Sequence, residues 1–396
     1  MAKGSRLKDA ALVLALIFTV AGIAHWVITN PLGPSRLLYT FQSPIAQWQA
    51  ECNASAPDWL LSVQRYGIRS MGAMASQVAL VTADGSLHHC QSGWLDGFWG
   101  SRPVMPSTRF RYASTSKTAT AIAVLDLINE GRISLDDALV EALGLEGPWK
   151  DPRVAQITVQ QLLTHRAGWD RVKGQDPMFM RGVKPWCPEN LAALQDTSLM
   201  YSPGSKESYS NLGYCLLGVV IEKVTGINYR EYMRERFGFE QNTLAFLDGS
   251  YLEDEPSYDF RHENFFMEGY QKDFDFQAIS SSAGLSGNAG DLAKLVKQAL
   301  ESQPFSVLNA PKGKGCNPAE VQNCYGFGLY RYQPEGEKPL YIHGGKLPGA
   351  TSAIIVTPDK GVLVWLGAGA HPPGDKDALA RFYDFIRESI PETAEP

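Results

Sequence analysis

The stretch "YASTSKTATAIAVLDLINEG", from Tyr112 to Gly131, places Ser114 and Lys117 three residues apart at the start of an alanine-rich run. The spacing predicts a helix that continues to about Asn129 and ends at the glycine. Residues at positions i and i+3 share one helix face, so the hydroxyl and the amine would be neighbours. A serine needs an adjacent base to become a nucleophile, and a lysine serves as that base when burial lowers its pKa. The alternative is that Ser114 caps the helix and Lys117 extends to solvent.

The second candidate motif is "YSN", Tyr209 to Asn211, directly before the helical pattern "NLGYCLLGVVIEKVTG". A phenol close to a lysine could have a lowered pKa and relay a proton to a leaving group. The amide of Asn211 could hold a substrate carbonyl. The alternative is an ordinary loop tyrosine with an asparagine that caps the helix.

The third candidate motif is "HGG", His343 to Gly345, within a strand-like run. Gly344 and Gly345 would let a substrate backbone approach closely, and the amide of Lys346 could complete an oxyanion hole. The alternative is a strand edge with a surface histidine.

In this order and with their flanks, the three motifs resemble the serine β-lactamase and penicillin-binding-protein superfamily. The best match is the branch that holds class C β-lactamases, D-Ala-D-Ala carboxypeptidases and esterases. The flanks include "LLTHRAGW", "YSPGSKESYSNLGY" and "HGGKLPGATSAIIVTPD", and the resemblance runs from about Gln77 to the C-terminal helix.

The resemblance implies a role for each motif residue. Ser114 would be the acylated nucleophile, and Lys117 its general base or proton relay. Tyr209 would give a proton to the leaving group, and Asn211 would position the substrate amide or the lysine amine. The backbone amides of Ser114 and Lys346 would form the oxyanion hole.

His343 departs from the β-lactamase pattern, because it stands where those enzymes carry the lysine of K-T-G. A mostly neutral histidine binds a β-lactam carboxylate less well than a fixed cation does.

We therefore expect a serine hydrolase that cleaves an amide or ester of a small molecule or peptide through an acyl-enzyme on Ser114, in the manner of a D-Ala peptidase or esterase. A class C type β-lactamase and a catalytically silent binding or scaffold protein are the alternatives. His165 of "LLTHRAGW" is interpreted as a packed, hydrogen-bonded histidine.

The N-terminal region is apolar. "AALVLALIFTVAGIAHWVI", Ala10 to Ile28, has no charged residue and follows Lys3, Arg6 and Lys8. It is long enough to cross a bilayer, and the preceding positive charge places the following domain outside the cytoplasm. An uncleaved anchor is favoured, and a signal peptide cut near Ala24 is the alternative, which would give a secreted protein.

The patterns together predict an α/β (α+β) fold with an antiparallel sheet flanked by helices. A hairpin is expected around residues 83–85, and more strands return after about Tyr325, so the sheet is built from both chain ends with a helical insertion between. The domain boundaries are 1–30 for the anchor or signal peptide, 31–59 for a tether and 60–390 for the hydrolase domain. The helical lobe would cover about 115–300.

Composition narrows the possible partners. The net charge of −6 and the lack of a long basic run argue against nucleic acid. There is no C-x-x-C motif, and we expect neither metal nor cofactor. The six cysteines fit export and allow 15 full pairings. A Cys316–Cys324 disulfide is plausible and Cys52–Cys90 less so.

Overall fold

The computed structural model describes residues 2–30, 33–97, 102–171, 174–180, 182–258, 274–369 and 377–391. In chain order the helices are α1 (Ala2–Thr29), α2 (Gly33–Trp48), α3 (Asp58–Met71), α4 (Ser116–Asn129), α5 (Leu139–Ala142), α6 (Val159–Leu163), α7 (Asn211–Thr225), α8 (Tyr229–Arg236), α9 (Ser280–Ala283), α10 (Ala289–Ser302) and α11 (Ala378–Ser389). The strands are β1 (Glu51–Cys52), β2 (Ala75–Val81), β3 (Leu87–Gly93), β4 (Phe110–Arg111), β5 (Ala245–Phe246), β6 (Leu285–Gly287), β7 (Tyr330–Tyr332), β8 (Leu340–Leu347), β9 (Ala350–Val356) and β10 (Val362–Ala368).

The main sheet has seven strands in the order β1-β3-β2-β10-β9-β8-β7, and its neighbours pair antiparallel. Strands from the two chain ends meet where β2 pairs with β10, so the predicted antiparallel sheet built from both ends is confirmed. Every residue of β2, β9 and β10 is buried. Because successive side chains of a strand point to opposite faces, both faces of these strands are covered. Helices α3, α10 and α11 pack on the sheet and supply this cover.

Between β3 and β7 the described chain is mostly helical, with a small second sheet in the order β4-β6-β5. Helix α4 lies in the interior, and its residues Ser116 to Leu127 are all buried. It packs against α7, α9 and α10, and a helix that is apolar or small on all sides suits such a position. The motif helix is therefore held on several sides at once.

The described part of the segment 31–59, residues 33–59, is folded, so its interpretation as a tether is wrong. It contains α2, which packs on α3, and β1, which pairs with β3. Pro34 lies in the first turn of α2, where the missing N–H costs no helical hydrogen bond. Pro44 lies inside the same helix, so neither of these two prolines makes the segment extended.

The six cysteines form three disulfides: Cys52–Cys90, Cys187–Cys215 and Cys316–Cys324. The lower ranking of Cys52–Cys90 was wrong, because β1 pairs with β3 in the register that sets these two residues opposite each other. That register depends on β1, which lies within the segment predicted to be a tether.

Helix α1 is the one helix within the described residues that is long and apolar enough to cross a membrane, over Lys8–Thr29. None of its most apolar window is buried against the rest of the protein. It is therefore not a core helix of the domain.

Candidate active site

Ser114 lies in a short 3₁₀ turn, Ala113–Thr115, just before α4, and not within α4 as the spacing predicted. Ala113 has φ of 51°, in the left-handed region that residues with a Cβ seldom adopt. The turn is fixed through the carbonyl oxygen of Tyr112, which accepts hydrogen bonds from Thr115 Oγ1 at 2.8 Å and Ser352 Oγ at 2.5 Å. The backbone therefore carries local strain directly before the serine, and neighbouring hydroxyls hold it in place.

Lys117 is fully buried, so the interpretation of a lysine that extends to solvent is wrong. Its Nζ donates to Asn211 Oδ1 at 2.7 Å and to the carbonyl oxygen of Ser282 at 2.8 Å, and it lies 3.4 Å from Ser114 Oγ. Burial lowers the pKa of Lys117 well below its usual range; the carboxylate of Asp176 opposes this shift.

The neutral form of Lys117 has the geometry of a base. A neutral amine has two N–H groups and one lone pair, and the two short contacts to carbonyl oxygens use both N–H groups. The lone pair is then left for the hydroxyl of Ser114. Burial favours this neutral form because a buried ammonium loses its hydration.

Tyr209 also lies at this centre. It lines a cavity together with Ser114, and its ring centroid lies 4.8 Å from Lys117 Nζ. The predicted direction of its pKa shift is wrong, because burial raises the pKa of Tyr209, outweighing the opposing effects of Ser114 and of Arg171. Tyr209 is therefore a protonated phenol at neutral pH, suited to donate a proton.

Asn211 is the first residue of α7, and the helix cap is Ser210, whose Oγ accepts from the N–H of Gly213 at 3.1 Å. Asn211 is oriented by Asp176, a residue that no sequence motif indicated. The carboxylate of Asp176 accepts from the backbone N–H of Asn211 at 2.8 Å and from its Nδ2 at 3.0 Å. Because a carboxylate only accepts, it selects the NH₂ side of the amide and turns Oδ1 toward Lys117.

Asp176 is itself fully buried, and its Oδ1 also accepts from the N–H of Met178 at 3.0 Å. Burial raises the pKa of Asp176, while its N–H donors and Lys117 oppose that rise. It lies in the irregular segment "GQDPMF", which follows neither a helical nor a strand period. Its burial was therefore not predictable from any local pattern of residues.

His343 lies on β8, buried rather than on the surface. Its Nδ1 lies 2.7 Å from the carbonyl oxygen of Gly328, which only accepts, so Nδ1 carries the proton. Its Nε2 has no hydrogen-bond partner in the described part of the chain. Burial, reinforced by Lys117, lowers the pKa of His343 to about 3. The histidine is therefore neutral.

The two glycines of the "HGG" motif differ in their surroundings. A Cβ at Gly345 would lie 2.5 Å from the carbonyl oxygen of Tyr112 and 2.9 Å from the backbone nitrogen of Ser114. Gly345 thus lets β8 approach the serine turn, which corrects the expectation that it accommodates a substrate backbone. Gly344 lines the cavity beside the site, and Lys346 follows on β8 with an exposed side chain.

These groups meet at one cavity of about 380 Å³. Its lining includes Ser114, Tyr209, Asn211, His343, Lys346 and Arg171. Arg171 was also missed: its guanidinium lies 4.3 Å from the ring centroid of Tyr209.

His165 lies outside this lining and packs among tyrosine rings; its Nδ1 accepts from the N–H of Ser210 at 3.3 Å. No group of three His, Cys, Asp or Glu residues suited to a metal ion occurs in the described ranges.

A family model described as Beta-lactamase matches residues 63–386. The chain belongs to the β-lactamase family. The putative fimbrial assembly protein FimD, serogroup D, of Dichelobacter nodosus is 36% identical to it over 96% of each chain. The fold is shared with the D-amino acid amidase of Ochrobactrum anthropi, at 20% identity and a TM-score of 0.65 over 84% of this chain and 97% of that one. It is also shared with a beta-lactamase/D-alanine carboxypeptidase of Yersinia pestis, at 15% identity and a TM-score of 0.64 over 90% and 99%. The predicted superfamily is confirmed, and the family is one of serine hydrolases.

Proposed function

We propose that this protein is an exported, membrane-tethered serine hydrolase that cleaves an amide or ester through an acyl-enzyme on Ser114. One observation carries the proposal: Lys117 is buried, its Nζ lies 2.7 and 2.8 Å from two carbonyl oxygens, and it lies 3.4 Å from Ser114 Oγ, so a neutral amine there would direct its lone pair at the hydroxyl. The apolar exposed helix α1 and the three disulfides support export and attachment to a membrane.

In the proposed reaction Lys117 removes the proton of Ser114 Oγ as the oxygen attacks the substrate carbonyl carbon. Backbone N–H groups of Ser114 and Lys346 stabilise the oxyanion. When the tetrahedral intermediate collapses, Tyr209 donates its proton to the leaving nitrogen or oxygen, and the ammonium of Lys117 returns a proton to the phenol. Water then attacks the acyl ester by the reverse proton transfers, which frees the acid and restores the serine.

The neutral His343 favours peptidase or esterase activity over β-lactam hydrolysis. A β-lactam carboxylate, like the terminal carboxylate of a D-Ala-D-Ala peptide, is best bound by a cation, and His343 does not supply one because its pKa is lowered to about 3; Lys346 and Arg171 are the cations in the cavity lining. We therefore infer small esters, which need no such cation, ahead of D-amino-acid peptides as substrates, and class C type β-lactamase activity as the weaker candidate.

A second candidate is a binding or assembly protein that keeps the fold without turnover. The observation in its favour is the name of the 36% identical relative, which is described as a putative fimbrial assembly protein. The intact set of Ser114, Lys117 and Tyr209 favours the enzyme, because a protein without turnover has no need to keep these groups in reach of one another.

A fluorophosphonate probe separates these candidates. The full-length protein is expected to gain one covalent adduct, which Ser114→Ala abolishes and the control Ser116→Ala retains. Turnover of p-nitrophenyl esters and D-Ala-D-Ala peptides should exceed that of nitrocefin. Folded protein that takes no adduct would contradict the hydrolase and favour the assembly protein, and faster hydrolysis of nitrocefin would favour the β-lactamase.

A further inference from the structure

Helix α2 carries an apolar stripe on its outer face, formed by Leu37, Phe41, Pro44 and Trp48. These positions are separated by four, three and four residues, so they lie on one side of the helix. The side chains of Leu37, Phe41 and Trp48 are 65%, 63% and 80% exposed. Isolated exposed apolar residues are common, but a continuous row of them marks an interaction surface.

The opposite face of α2 is fixed to the domain. Gln42 and Ala46 are buried there. Ser43 Oγ donates to the carbonyl oxygen of Ile68 on α3 at 3.2 Å, and Ser92 Oγ on β3 donates to that of Ala46. These contacts keep the helix from rotating, so the apolar stripe stays directed away from the domain.

The start of α2 lies against the end of α1. A Cβ at Gly33 would lie 2.7 Å from the ring of Trp26, so the absence of a side chain lets the indole contact this turn. Tryptophans at the end of a spanning helix sit at the level of the lipid headgroups. Only residues 30–32 separate the two helices. If α1 is the anchor of the proposed function, α2 therefore begins at the membrane surface.

We propose that the apolar stripe of α2 lies in the headgroup region of the same bilayer that α1 crosses. The occupant is a lipid surface rather than a second copy because α2 begins beside the end of the anchor, where Trp26 lies against Gly33. The sequence from Asn30 to Ala50 contains no acidic residue and one basic residue, Arg36, so it does not repel anionic headgroups. This inference rests on the membrane attachment in the proposed function and adds a second contact to it.

The second contact would hold the catalytic cavity near the bilayer. Helix α2 packs on β3, and four strand positions separate β3 from β8 in the sheet. At about 4.8 Å per strand this is about 19 Å. The stripe would thus fix the distance of the cavity from the membrane within the folded domain, in contrast to a domain on a long, free linker.

The test uses full-length protein in vesicles of phosphatidylethanolamine and phosphatidylglycerol. All six cysteines are in disulfides, so Phe41→Cys adds one free thiol for an environment-sensitive fluorophore. Gln49→Cys, exposed just after the helix and off the stripe, is the matched control. The label at position 41 should emit at shorter wavelength and lose most of its intensity to nitroxide-bearing lipid, whereas the label at 49 should keep its intensity.

Three results would overturn the proposal. Both labels could remain as in water, or both could be quenched equally. A label at position 41 that emits at shorter wavelength but resists the lipid quencher would indicate that a second copy covers the stripe. Intact mass reports whether α1 is retained, and fluorophosphonate labelling of Ser114 in the same sample reports the hydrolase separately. The fluorophore therefore tests lipid contact by the stripe, the intact mass tests the anchor, and the fluorophosphonate tests the catalytic serine, so a negative result in one does not obscure the others.

Discussion

The replacement Asp176→Asn changes one oxygen of a buried carboxylate to an NH₂ group with little change in size. The carboxylate accepts three hydrogen bonds, from the backbone N–H and the Nδ2 of Asn211 and from the N–H of Met178. In the variant the new NH₂ group faces one or more of these donors, which leaves a buried donor unsatisfied. The loss of hydrogen bonds to a charged group and the presence of a buried donor without a partner together lower the free energy of unfolding by about 3 kcal/mol. We expect the melting temperature to fall by several degrees.

The same replacement should affect catalysis through Asn211. Without an acceptor-only partner, its amide can turn its NH₂ toward Lys117, so a donor faces a donor and the amine loses its orientation. A misplacement of this kind costs about 10²-fold in kcat. The carboxylate of Asp176 also raises the pKa of Lys117 against the effect of burial. Its removal lowers the pKa of Lys117 further, and because the reaction needs the neutral amine, the acidic limb of the kcat/KM profile should move to lower pH.

Among the described residues, Asp176 raises the pKa of Lys117 and Arg171 lowers it. Lys117 in turn lowers the pKa of His165 and of His343. Ester hydrolysis is measured from pH 4 to 10 for the wild type, for Asp176→Asn and for Asp275→Asn. Asp275 is the matched control, because it also accepts from backbone N–H groups but does not act on the pKa of Lys117. An unshifted acidic limb together with normal kcat in Asp176→Asn would refute the positioning role.

Three other replacements have defined outcomes. Lys117→Ala should lower kcat by about 10³-fold or more with the fold intact, as measured by steady-state kinetics and circular dichroism, since nucleophile and base act together. The folded-state pKa of His343 lies at about 3, below the 6.5 of the free group, so the unfolded chain binds its proton first and stability falls as the pH drops through this window. His343→Gln should therefore lose less thermal stability than the wild type between pH 7 and 4. Gly345→Ala should reduce kcat by about 10²-fold because its Cβ meets the serine turn, whereas Gly213→Ala, whose Cβ has ordinary contacts at 3.7 Å or more, should not.

The sequence was most informative where chemistry follows from local spacing. Ser114 and Lys117 are three residues apart, about one helical turn. Their side chains are neighbours even though the serine lies in the turn before α4. The "YSN" and "HGG" motifs were likewise found because each is short and contiguous. The sheet built from both chain ends, in which the structure pairs β2 with β10, was predicted from strand patterns at those ends.

Properties that depend on distant neighbours were not predictable in this way. The pKa of Tyr209 is set by burial, which no local pattern reports, so its expected direction was reversed. Asp176 reaches Asn211 from an irregular segment 35 residues away. Gly345 contacts the turn of Ser114, which is more than 200 residues earlier in the chain. The tether was misjudged because α2 and β1 are stabilised by their contacts with α3 and β3.

A crystal structure of the protein with a boronic acid analogue of the acyl transition state addresses the convergence of Ser114, Lys117 and Tyr209 most directly. The predicted result is a bond from boron to Ser114 Oγ, with one boronate oxygen between the backbone nitrogens of Ser114 and Lys346. A second boronate oxygen should accept a hydrogen bond from the phenol of Tyr209, with Nζ of Lys117 close to Oγ. Boron bound to another residue, or a boronate turned away from the phenol and both backbone nitrogens, would contradict the assignment of this site.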